Sequence, residues 1–260
     1  MGKHSSIAGG LLLCGLVLVT ALNAGGIRAK ASDDGPARCG SVDLVLVMDT
    51  TFSLAGSISE MKKQAQDILD VLQRVSGGDF RIGLISFDDS VVVRLDLDAL
   101  PDIETKSSMV KAEINHLSAY GGRSGPEASD EALNAAINSL PAAGRQQKGD
   151  FNGEWIADSR ILILITDNKP GGFDDTYIQG IDDLHAYRVA LSAQRKNIHI
   201  SAIYVPTSGS YFGVDPEVSS IMRTYAAETG GLYVETQTRG TGTAAAVASI
   251  IETCGENQLF

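Results

Sequence analysis

Asp49, Thr51 and Ser53 occupy alternate positions of the pentapeptide Asp49–Thr50–Thr51–Phe52–Ser53, directly after the apolar run Val42–Met48. Alternate residues of an extended segment point the same way, so three side-chain oxygens can converge on one point. Neutral hydroxyls mixed with one or two carboxylates suit a small hard cation, magnesium above all, which keeps several waters of its own. A second aspartate, Asp167, ends another apolar run, Arg160–Thr166. Asp, Thr and Ser also cap helices, so a pure capping role is the competing reading of the pentapeptide taken alone.

Positioning two such aspartates together is a task for buried parallel strands. Val42–Met48 and Arg160–Thr166 are nearly continuous apolar runs, as expected of strands covered on both faces. Leu54, Ile58, Met61, Ala65, Ile68, Leu72 and Val75 recur at helical spacing after the first run. Arg81–Phe87 and Val91–Leu97 are joined by only three residues and predict an antiparallel hairpin. Further helices are expected at Lys106–Leu117, after Pro126 (with Gly125 capping and Pro126 at the first helical position), at Ile181–Arg195, at Pro216–Thr229 and at Thr243–Thr253. Strands are expected at Ile198–Val205 and Leu232–Glu235, and Pro141–Asp158 reads as a polar loop holding the one tryptophan, Trp155. The alternation predicts an α/β fold: a doubly wound, mostly parallel sheet with one antiparallel edge strand and helices on both faces. In such sheets ligands bind beyond the carboxyl ends of the strands, where the strand order reverses. Asp49 and Asp167 end two strands of that kind.

With these residues in view, Asp49–Thr51–Ser53 resembles the Asp-x-Ser/Thr-x-Ser signature of von Willebrand factor type A domains, and the resemblance runs over nearly all of Cys39–Cys254. Gly121–Gly122 precedes the third helix, as in that family, and Ser124 stands where the family places a Thr or Asp ligand. Ile165–Thr166–Asp167 matches the strand-end Asp motif, with Asn168 in place of the usual Gly. The resemblance implies that Asp49, Thr51, Ser53, Ser124 and Asp167 hold one Mg2+ or Mn2+ ion. It implies too that a partner's Asp or Glu fills the ion's open position. Near these residues, Gly171–Asp175 carries paired carboxylates and reads as a solvated rim, with a second cation site as the alternative. Glu127 reads as a complement to a helix dipole.

Other chemistries find little support. The formal charge is −11, and the 21 Lys and Arg residues form no run, which disfavours binding to nucleic acid. Nucleophile-elbow, dinucleotide and Walker motifs are absent. His185 and His199 stand alone, His199 within a strand, and no spacing suggests zinc. Residues 1–31 read as a secretory signal peptide: Lys3, then the uncharged run Ile7–Leu22, then Ala29–Lys30–Ala31 as the cleavage site. An uncleaved anchor is the alternative; no second apolar stretch of spanning length follows. Two cysteines remain in the mature chain, Cys39 and Cys254, at the two ends of the domain (39–254), ahead of a short tail (255–260). An even pair in an exported chain reads as a disulfide. The expectation is therefore a secreted or periplasmic protein-binding module and not an enzyme. The alternatives are a metal-assisted hydrolase and an assembly subunit with a silent site.

Overall fold

A computed structural model describes residues 38–98, 102–122, 125–207 and 215–256. The leader read from residues 1–31, Ser124 and the tail residues 257–260 lie outside the described residues. In chain order the elements are β1 (Val42–Asp49), α1 (Ala55–Ser76), β2 (Phe80–Phe87), β3 (Val91–Leu95), α2 (Ile103–His116), α3 (Ser129–Asn138), β4 (Gln147–Lys148), β5 (Ser159–Thr166), α4 (Asp182–Arg195), β6 (His199–Tyr204), α5 (Pro216–Thr229), β7 (Tyr233–Glu235) and α6 (Thr243–Glu252).

The seven strands form one sheet in the order β4-β3-β2-β1-β5-β6-β7. All neighbours are parallel except β2 and β3. β1 is central, and all eight of its residues are buried. Leu44, Leu46 and Met48 face the core shared with α1, α2 and α6, while Val45 and Val47 face the core under α3, α4 and α5. Successive strands leave β1 in opposite directions, β2 on one side and β5 on the other. The crevice between the ends of β1 and β5 is thus where the order reverses, as such sheets require of a ligand site.

Two expectations are corrected. β3 is antiparallel to β2 but is not the sheet edge, because Gln147–Lys148 pairs outside it; the two-residue strand lies in the stretch read as a loop and is too short to leave a sequence pattern. Pro126 does not open α3, which begins at Ser129. Instead Glu127 N–H donates to Lys169 O, and Gly171 N–H donates to Glu127 O, each at 2.9 Å. The chain stays extended there to bridge to the loop after β5. By contrast, α5 has Asp215 as its N-cap and Gly230, at φ 71°, as its stop, as read from the sequence.

The end of the sheet opposite the site is closed by a buried ion pair. Asp43 is fully buried, accepts from Arg81 Nε and Nη2 at 2.7 Å each, and also accepts from the N–H groups of Ile156 and Ala157. Removing one partner of such a pair strands the other charge. Asp43→Ala should therefore destabilise the protein by about 3–5 kcal/mol in urea unfolding; a loss below about 1 kcal/mol, the usual value of an exposed pair, would contradict this role. Cys39 and Cys254 are disulfide-bonded, with Cα atoms 5.4 Å apart. Among the described residues no helix is long and apolar enough to cross a membrane.

Candidate metal centre

Three loops meet above the β1–β5 crevice: the turn after β1, the segment before α3, and the segment after β5. The first is fixed by Thr50, whose N–H and hydroxyl both donate to Phe87 O, at 2.8 and 2.9 Å, and whose carbonyl accepts from Gly121 N–H at 3.1 Å. Phe52–Leu54 then forms one 3-10 turn that leads into α1. Gly122 allows the second loop to come this close. At φ 83° it sits in the left-handed region, and a Cβ there would lie 2.8 Å from Thr51 Cγ2 and 2.7 Å from Glu127 Oε1.

The side-chain oxygens form a continuous chain. Thr166 Oγ1 donates to Asp49 Oδ2 at 2.6 Å. Asp49 Oδ1 accepts from the Thr51 N–H at 2.8 Å and from Thr51 Oγ1 at 2.7 Å. Thr51 Oγ1 lies 3.0 Å from Ser53 Oγ, and the hydroxyls of Ser53 and Thr207 bond to Asp167. Four of the five residues expected at the site, Asp49, Thr51, Ser53 and Asp167, are thus brought together. The fifth, Ser124, lies outside the described residues.

The carboxylates of the cluster raise one another's pKa. Asp49 is fully buried, and burial, followed by the nearby Asp167 carboxylate, pushes its pKa to about 7 despite three hydrogen bonds that act the other way. Burial also raises Asp167, whose Oδ1 is buried without a hydrogen-bond partner. Glu127 is the residue that sequence reasoning missed. It is 2% exposed, and its Oε2 is buried without a hydrogen-bond partner. Burial, then the charges of Asp49, Asp89, Asp175 and Asp88, push it to about 9. In sequence a Glu two residues before a helix is indistinguishable from a dipole partner; only the bridge to the loop after β5 turns it inward. Thr166 and Thr207 were also missed, since hydroxyls at strand ends are common.

Orphaned carboxylate oxygens beside a ring of hydroxyls are what a hard cation satisfies, so the residues present fit magnesium or manganese. Among the described residues no group of three or more His, Cys, Asp or Glu side chains is arranged to hold a metal. The site at Asp49 draws instead on hydroxyls. Nor is His185 isolated, as its sequence context suggested: its Nδ1 lies 2.6 Å from Oδ2 of the buried Asp130, which raises its pKa. His199 has a structural bond, Nδ1 to Thr229 O at 2.7 Å.

A family profile described as von Willebrand factor type A domain matches residues 43–238. Among solved structures, the chain is similar to proximal thread matrix protein 1 from the mussel byssus (15% identity, TM-score 0.56, covering 84% of this chain and 47% of that one). It is similar also to the vWF domain of the type V pili tip protein Mfa5 from Porphyromonas gingivalis (12%, 0.55, 85% and 98%). A third is a conserved hypothetical protein, BatB, from Bacteroides thetaiotaomicron (20%, 0.50, 82% and 98%). At these identities the likeness establishes the fold. No curated protein matches the sequence.

Proposed function

The chain belongs to the von Willebrand factor type A domain family, and from that premise we propose that it is an extracytoplasmic protein-binding module whose metal site accepts an acidic residue of its partner. Asp49, Thr51, Ser53, Ser124 and Asp167 would hold one Mg2+ or Mn2+ ion, directly or through water, and the ion would supply an electrophilic position for a carboxylate. The observation that carries the reading is the unbroken chain of oxygens from Thr166 through Asp49, Thr51 and Ser53 to Asp167, which ends on a buried carboxylate oxygen without a partner. A site with few charged ligands leaves the ion attractive to one more carboxylate. The reading is binding and not catalysis, because the hydroxyls and carboxylates gathered here are the groups that the ion itself would engage.

The signal-like residues 1–31 and the Cys39–Cys254 disulfide support an oxidising compartment outside the cytoplasm. Similarity to a pilus tip protein and to a byssal thread protein supports an adhesive or matrix setting. The test is affinity capture from the surface fraction of the source organism, in magnesium and in excess chelator, with wild type and Asp49→Asn side by side. Partner retained only by wild type in magnesium is the expected result. Equal retention in chelator would remove the metal from the binding role.

A further inference from the structure

Phe52 and Tyr120 are the two most exposed large apolar side chains among the described residues, at 77% and 90%. Both stand at the metal loop. Phe52 lies between Thr51 and Ser53, whose hydroxyls are 3.0 Å apart. Tyr120 directly precedes Gly121, which pairs with Thr51 in a parallel bridge and donates its N–H to Thr50 O. The two aromatics therefore flank one bridge between neighbouring backbone strips, Phe52 one residue after it on the first strip, where the 3-10 turn begins, and Tyr120 one residue before it on the second. Neither serves the fold. Leu54, fully buried, anchors the turn that carries Phe52, and Leu117, also buried, anchors the segment leading to Tyr120. Exposed aromatics that flank a polar centre are the usual anchors of a protein interface, where a large rigid side chain is desolvated at little cost in rotamer entropy.

We propose that the partner is recognised through a short extended segment in which an Asp or Glu lies within two residues of a large apolar side chain. The carboxylate completes the ion, and the apolar side chain packs on Phe52 and Tyr120. Residues two apart in an extended chain share a face, so one strand can present both groups at once. This rests on the metal-dependent binding proposed above and adds the identity of the second determinant. It also confines recognition to protein, because a lone carboxylate metabolite would leave both aromatics in water.

Random linear peptides displayed on phage, selected on the immobilised full chain in magnesium and eluted with chelator, test the inference. Enriched peptides should carry an acidic residue with a Phe, Tyr, Trp, Leu or Ile within two positions. A synthetic peptide of that sequence should lose about tenfold or more in affinity for the Phe52→Ala/Tyr120→Ala double variant, while the variant's magnesium affinity stays that of wild type. Replacing the peptide's apolar residue by Ala should cost as much against wild type and little against the variant. Acidic peptides without an apolar neighbour, or equal affinity for variant and wild type, would overturn the aromatic contact and leave the metal reading standing. No enrichment, peptides without an acidic residue, or binding that survives chelator would overturn both.

Discussion

Asp49→Asn should abolish magnesium binding and at the same time make the metal-free protein more resistant to unfolding near neutral and alkaline pH. The two effects have one cause. In the folded, metal-free chain Asp49 is raised from 3.8 to about 7 and Glu127 from 4.5 to about 9, both chiefly by burial. A carboxyl group whose folded pKa lies above its unfolded value holds its proton more tightly in the native state. Stability then falls as pH rises from the unfolded pKa to the folded one, and levels off above it. For Asp49 that window runs from about pH 4 to 7, and Glu127 extends the fall towards pH 9. Asparagine keeps the shape of the side chain and removes the charge, so the variant should lose the Asp49 share of the fall. Wild type saturated with magnesium should regain stability in the same range, by about 2.7 kcal/mol at a hundredfold excess over Kd. Unfolding in chelator from pH 4 to 9, followed by circular dichroism, checks this. A wild-type midpoint that rises through this window in chelator would contradict the electrostatic account.

Loss of the disulfide is the second large effect. Cys39 and Cys254 are 215 residues apart in sequence, and closing so long a loop should stabilise the domain by about 5 kcal/mol on the chain-entropy model. The Cys39→Ser/Cys254→Ser variant should lose a stability of that order in urea, and an unchanged midpoint would show that the bond is dispensable. The bond has a mechanical consequence too. α6 is pinned at its start, where Thr243 Oγ1 donates to Ser57 Oγ at 2.9 Å and Gly242 N–H donates to Glu60 at 2.8 Å. Its far end is held by Cys254, and Cys39 N–H in turn bonds Val75 O at the end of α1. A slide of α6 by one helical turn, about 5.4 Å, should not accompany partner binding while the bond is intact. Hydrogen exchange across Thr243–Glu252, with and without partner, reports on it.

The parts of the molecule legible in the sequence are those governed by burial and by local rules. Val42–Met48 and Arg160–Thr166 announce central strands because both faces are covered, and Asp215 and Gly230 mark the ends of α5 because caps act within a turn. Asp49, Thr51 and Ser53 are legible because their oxygen-bearing side chains are crowded into one short segment after a buried strand, although that segment leaves the extended conformation at Phe52 and carries Ser53 in a 3-10 turn. What stayed hidden depends on contacts between distant segments. Gln147–Lys148 becomes a strand only because Val91 and Val92 lie beside it. Pro126 looks like a helix start, yet two hydrogen bonds to the loop after β5 keep Glu127 extended and turn it towards Asp49. His185 looks solitary because its partner Asp130 lies 55 residues away.

The most direct test is a calorimetric titration of magnesium into wild type and Asp49→Asn at neutral pH, with circular dichroism to show that both are folded. The expected result is saturable binding of one ion by wild type and none by the variant, with identical spectra. Equal magnesium affinity in the two proteins would contradict a metal centre at Asp49, and with it the proposed mode of partner binding.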